Sequence, residues 1–202
     1  MTLRPAAIVF CAALLIHCSA ASADQVGAAV VDGRIVILNS DNTWAYADAQ
    51  KQSAAGCDRF PGVELCVKDL GWASVDKVGA FQALYRVGSQ YYFGLVREPY
   101  GAKAGVTLQA LRSAIVQNAA LAAKTTVDKV PVLEVSTEVA GIPQAEAVTY
   151  TVQMSGLPLI YRNIFRVKDD ESMQIVFWSV GTTISPEFKA KIDDTVAKIK
   201  ID

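Results

Sequence analysis

The chain has 202 residues, with 19 basic and 20 acidic side chains, four cysteines and one histidine. A net charge of −1 offers none of the clustered basic surface that nucleic-acid binding demands. The length suits one core domain plus an appendage.

Arg4 precedes an unbroken apolar run, Ala6 to Ile16, and then Ala21-Ser22-Ala23. A positive start, a short apolar core and small residues at −3 and −1 describe a secretory signal peptide, residues 1–23, cleaved after Ala23. The run is too short for a comfortable membrane span, and no span is expected once it is removed. His17 stands where a lipoprotein needs a small residue before Cys18, which disfavours lipid anchoring there. Of the 202 residues, 179 remain after the 23 are removed; Arg4, His17, Cys11 and Cys18 leave with them, so 18 basic and 20 acidic groups give a net charge of −2. A mature chain without histidine has no base for Ser-His-Asp or Cys-His catalysis.

Residues 24–48 read as a small β-hairpin segment. Asp32-Gly33 and Asn39 to Asn42 mark turns, with Val30, Ile35, Ile37, Trp44 and Tyr46 on the strands between. This resembles a short β motif of exported bacterial proteins in which an Asp-Gly-Arg turn precedes a "DGTW" turn, with Asn42 here in place of the glycine. Residues 49–71 follow as a linker and cysteine loop. Cys57 and Cys66, nine apart in an exported chain, are expected to form a structural disulfide. A redox pair usually has two intervening residues, and a metal site would want histidines.

From residue 72 a single domain is expected. Ala80–Val87 and Gln90–Val96, parted by Gly88-Ser89, form a hairpin. Thr107 caps a helix with the apolar stripe Leu108, Leu111, Ile115, Ala119 and Ala122. Residues 132–139 alternate as a strand with Leu133, Val135 and Val139 on one face. Val148–Met154, Leu159–Val167 and Met173–Val180 continue as a meander, and the last of these is apolar on both faces from Ile175 on. A closing helix has Ser185 as N-cap, Pro186 in its first turn and the stripe Phe188, Ile192, Val196 and Ile199. It could cover Val176, Trp178 and Val180, and Lys198 and Lys200 would lie at its negative end.

The expected fold is therefore α+β, an antiparallel sheet in the order ββ-α-ββββ-α with helices packed on it. That order, the Gly-x-Pro turn at Gly141-Ile142-Pro143 and the strand Tyr161-Arg-Asn-Ile-Phe-Arg-Val167 resemble the PsbP/Mog1 superfamily and, within it, the DcrB-like envelope proteins, over residues 72–202. The resemblance implies a binding or accessory module without a shared catalytic apparatus and transfers no site residue. The protein that gives the DcrB-like group its name is a lipoprotein, and the poor lipobox at Cys18 departs from it.

Candidate chemistry is sparse. Ser74-Val-Asp-Lys77, Ser40-Asp41-Asn42 and Lys124-Thr125 echo the strings of penicillin-binding folds, but in the wrong order and with Thr126 in place of glycine. Glu134 and Glu138 would stand roughly 13 Å apart on one strand face at ~3.3 Å per residue, beyond the ~5–9.5 Å of glycosidase pairs. Asp169-Asp170-Glu171 lacks the spacing of a calcium loop. No cofactor and no metal site is expected. Binding is the better reading. Arg162 and Arg166 share one strand face, and with Tyr161 and Trp178 they are residue types that dominate interaction hot spots. The expected function is that of an exported, non-catalytic accessory or binding protein of the bacterial envelope, with an envelope protein or a small envelope ligand as partner. The alternative is a hydrolase of envelope material that uses carboxylates or a Ser-Lys pair.

Overall fold

The structure, a computed structural model, describes residues 56–201 apart from Val78, together with the backbone of three N-terminal strands. Those strands, β1 (Gln25–Val31), β2 (Arg34–Asn39) and β3 (Trp44–Tyr46), pair antiparallel in the order β1-β2-β3. Residues 1–24 (the expected signal peptide included), both turns of this segment and residues 47–55 lie outside the described residues.

The main body is α+β. Short strands β4 (Asp58–Phe60) and β5 (Val63–Leu65) are followed by β6 (Ala73–Ser74), β7 (Phe81–Val87), β8 (Tyr91–Glu98) and helix α1 (Leu108–Ala122). The chain continues through β9 (Val132–Ser136), β10 (Ala145–Met154), β11 (Leu157–Val167), β12 (Ser172–Val180), helix α2 (Pro186–Val196) and β13 (Ile199–Ile201). Seven strands form one antiparallel sheet in the order β6-β7-β8-β12-β11-β10-β9. A second, three-stranded sheet runs β13-β5-β4.

Local chemistry sets the boundaries. The Thr107 hydroxyl accepts from the Ala110 amide at 3.0 Å, and Ser185 accepts from Phe188 at 3.1 Å, each capping an otherwise orphaned helix N–H. Ser155 and Gly156 both hold positive φ, 51° and 83°, the pair of left-handed residues that a two-residue hairpin turn requires to match strand twist. Pro158 sits inside β11, where its carbonyl accepts from the Gly181 amide.

The two sheet faces are covered differently. On one face Tyr85, Phe93, Ile175, Phe177 and Ile164 pack with Phe188, Ile192 and Val196 of α2. Val63, Leu65 and Val67 of the cysteine loop and Ile199 of β13 join that same core. On the other face Leu111, Ile115, Val116 and Ala119 of α1 pack on Val148, Tyr150, Val152, Leu159 and Phe165. The expectation that the closing helix covers Val176 and Trp178 is therefore corrected. They point to the α1 face with Leu84 and Tyr92, and Val180 is exposed. Ile199 and Lys200 belong to β13 rather than to the helix, which ends at Val196 because β5 offers its free edge there. Leu133 and Val135 are exposed on the edge strand β9, beyond the reach of α1.

Cys57 and Cys66 are joined, with sulfurs 2.01 Å apart, at the open end of the β4–β5 hairpin. Among the described residues, no helix is long and apolar enough to cross a membrane.

Candidate functional site

Antiparallel register brings four aromatic residues into one row across four strands. Tyr150 on β10 lies opposite Tyr161 on β11, Tyr161 opposite Trp178 on β12, and Trp178 opposite Tyr92 on β8. Their rings stack in sequence, with centroids 5.3, 6.1 and 5.5 Å apart, and Phe81 stacks on Trp178 at 5.7 Å. Such pairs contribute about 0.5–1.5 kcal/mol each beyond their area burial, so the row is a rigid wall.

The adjacent row is Val148, Asn163, Val176 and Gly94. Gly94 has no side chain because the Phe81 ring fills the space above it; a Cβ there would collide with Cδ1 and Cε1 of that ring. Helix α1 covers β10 and β11, Phe81 covers β8, and a cleft of about 390 Å³ lies between these covers. Phe81, Tyr150, Tyr161, Val176 and Met154 form its apolar lining, Ile115 and Ala119 contribute the helix side, and Glu98 and Asn118 are polar lining groups.

Asn163 and Gln174 are the polar groups contributed by β11 and β12. Asn163 is 3% exposed, and its Nδ2 donates to Gln174 Oε1 at 3.0 Å. Its Oδ1 is fully buried and has no hydrogen-bond partner. Buried polar atoms in native proteins are nearly always paired, and leaving one unpaired costs about 1–3 kcal/mol. The Tyr150 hydroxyl is held well above the usual phenol range by burial and then by Tyr161, against an opposing hydrogen bond from Asn163. Burial raises Tyr161 as well. Both phenols therefore stay protonated at neutral pH, which suits hydrogen bonding and not nucleophilic attack.

No family model matches the chain, and no curated protein does. Among solved structures, one resemblance is to a Pseudomonas aeruginosa protein of unknown function, with a TM-score of 0.36 and 10% identity over 85% of this chain and 90% of that one. A Bacteroides thetaiotaomicron protein resembles it with a TM-score of 0.32 and 8% identity over 90% of this chain; the chain spans about half, 49%, of that protein's length. Likenesses of this size carry no argument about function, which rests on the chain's own geometry.

The four residues singled out from sequence fall in three places. Tyr161 lines the cleft, and Trp178 is buried behind it as part of the aromatic row. Arg162 and Arg166 point to the opposite face of the sheet. Arg162 donates to Glu134 and Thr149, each at 3.1 Å, and lies in a groove with Ile192 and Asp193 of α2. Arg166 is buried near the turn between β11 and β12 and lines a separate pocket. Tyr150, Asn163, Gln174 and Phe81 were not singled out from sequence. The signal for Asn163 was present: it is the polar residue in the otherwise apolar inward series Leu159, Tyr161, Phe165 and Val167.

The Ser-Lys candidates are not arranged as a penicillin-binding site requires. Ser74 sits on the edge strand β6, paired with Tyr85, and Lys77 is exposed in the loop beyond. Ser40, Asp41 and Asn42 lie outside the described residues. Glu134 bonds Ser136 and Arg162, while Asp169 and Asp170 pair with Lys103.

Proposed function

We propose that this is an exported, non-catalytic binding protein of the bacterial envelope, of PsbP/Mog1-like architecture, that holds a small ligand in the cleft between α1 and the sheet. The observation that carries the reading is the Asn163 carbonyl oxygen, buried and unpaired in an aromatic-walled cleft. Small-molecule sites combine apolar lining with a few fixed polar groups. The ligand class that fits has a planar apolar body and one N–H or O–H donor. Stacking on Tyr150 and Tyr161 supplies area, and a donor to Asn163 recovers the cost of its unpaired oxygen. Export is supported by the leader-like residues 1–23 and by the Cys57–Cys66 bridge.

The test is a thermal-shift and tryptophan-fluorescence screen of the mature chain against small aromatic alcohols, amines and amides. Saturable binding that is lost in Ala119→Trp, which fills the cleft from the helix side, supports the reading. Binders that ignore this substitution, or no binder in a screen that spans those classes, sink it.

A further inference from the structure

The opposite face of the sheet ends in a second row, Ala145, Arg166, Met173 and Arg97, on β10, β11, β12 and β8. The two arginines flank Met173, which is buried in the α2-side core. Arg97, whose Nε is also buried and unpaired, is compensated because its Nη2 donates to Glu171 Oε2. Arg166 is not: it is 7% exposed, its Nε is fully buried and unpaired, and among the described residues its side chain has no ion pair or hydrogen bond. The acidic groups of the neighbouring turn are engaged elsewhere, Glu171 with Arg97, and Asp169 and Asp170 with Lys103 at 3.9 and 3.0 Å.

An arginine cannot escape this environment by losing its proton. A buried charge without a partner is among the costliest arrangements in a folded chain, and a guanidinium fork is matched by an oxyanion that accepts two parallel hydrogen bonds. Arg166 lines a pocket of about 460 Å³ with Gln144, Ala102 and residues 167–171. Gly101 packs against the floor of the same turn, where a Cβ would collide with the backbone of Lys168, Asp169 and Glu171, and the Ala102 and Lys103 amides donate to the Lys168 and Asp169 carbonyls. The turn is thereby held in place by main-chain contacts and does not need Arg166 to hold it.

We infer that Arg166 is the anchor of an anion site that takes a carboxylate group. Charge decides between carboxylate and phosphate. The pocket is lined by two cations, Arg166 and Lys168, and by three carboxylates, Asp169, Asp170 and Glu171. A monoanion completes the ion pair of Arg166, whereas a phosphate dianion adds a charge that the neighbouring carboxylates repel. The site lies on the face opposite the aromatic cleft and rests on none of the same atoms.

The experiment uses the arginine Nε–Hε resonances of the uniformly nitrogen-15-labelled mature chain, titrated with acetate or inorganic phosphate against chloride at constant ionic strength. Acetate is expected to shift the Arg166 resonance saturably, with a dissociation constant on the order of 1–10 mM for so small a ligand, and to leave Arg162, already paired with Glu134, unmoved. Arg166→Met is expected to fold and to lose every acetate-dependent shift, and Arg166→Lys to keep a response weakened about tenfold by loss of the planar fork. The wild-type titration stands whatever the variants do. No saturable shift with acetate overturns the assignment of a site; a tighter response to phosphate than to acetate overturns the carboxylate class. Equal shifts at Arg162 and Arg166 mean bulk ion effects and overturn both.

Discussion

Asn163 and Gln174 sit diagonally across β11 and β12, and the 3.0 Å bond between their side chains uses the Asn163 amino group while leaving its carbonyl oxygen buried and unpaired. One polar side chain thus gives the strand a cross-strand bond and also an unfavourable atom next to a cleft. Replacing it by the apolar isostere removes both. Asn163→Leu is expected to change stability by no more than about 1 kcal/mol, since removing the unpaired oxygen offsets the hydrogen bond lost by the Tyr150 hydroxyl, and Gln174 is only half-buried and can rehydrate. It should abolish binding of any donor ligand in the cleft. Urea denaturation measures the first; a loss above about 2 kcal/mol would mean that the oxygen is paired in solution.

Phe81 occupies the space that Gly94 leaves open. Gly94→Ala is expected to destabilise the chain by about 1–3 kcal/mol, because the ring must leave its stack with Trp178. Phe81→Leu in the same chain should recover part of that loss. A double-mutant cycle reads the coupling directly, and additive costs would show that the ring and the glycine do not share this space.

Tyr85, Tyr92, Tyr150 and Tyr161 all have phenols held above their ordinary range, with burial as the first cause and, for Tyr85, an added hydrogen bond at 2.7 Å to the Asp58 carboxylate. The folded chain therefore keeps protons that the unfolded chain gives up. The stabilisation is complete below the unfolded phenol value of about 10 and is lost as pH rises beyond it. For buried Tyr150 the loss is about 1.4 kcal/mol per pH unit, and for Tyr161, which is only partly buried, it is at most that. Denaturation midpoints should be flat from pH 8 to 9.5 and fall steeply above 10, and the tyrosinate absorbance of these four side chains should lag until the chain unfolds. Early, graded tyrosinate formation by all seven tyrosines would contradict the burial assigned here.

The Cys57–Cys66 bridge closes a short loop with a separation of nine residues. Its removal in the Cys57→Ser, Cys66→Ser chain should cost about 2–3 kcal/mol on the chain-entropy account without changing the circular dichroism of the folded state. Val63, Leu65 and Val67 keep the loop packed on the α2 core by apolar contact. Global unfolding at room temperature would mean that the bridge and not the packing holds β4 and β5.

Where a feature depends on neighbours in the chain, the sequence announced it. Thr107 and Ser185 cap their helices, Ser155-Gly156 makes the hairpin turn, alternation marks β10 and β11, and a run apolar on both faces marks β12. What sequence could not rank was which face of β12 each helix takes. Phe177 and Trp178 are equally apolar, and only the strand order β8-β12-β11, a non-local fact, sends Phe177 to α2 and Trp178 to the aromatic row. The same limit applies to the site. Arg162 and Arg166 look alike in sequence, but one meets Glu134 across two strands and the other meets no carboxylate among the described residues. Asn163 was visible as a polar intruder, yet its unpaired oxygen depends on the rotamer that reaches Gln174.

Two pairings join distant parts of the chain: Phe93 lies beside Phe177 at the centre of the sheet, and Leu65 beside Ile199 in the small one. The hairpin β7–β8 and the meander β10–β12 can each assemble from local segments. The sheet is whole only when β8 docks on β12, and β5 has a second neighbour only when β13 arrives. Closing such long loops is entropically costly before any contact rewards it. Folding of this chain therefore belongs to the slow, non-local class, on the order of milliseconds to seconds, with the central seam of the sheet as its late step.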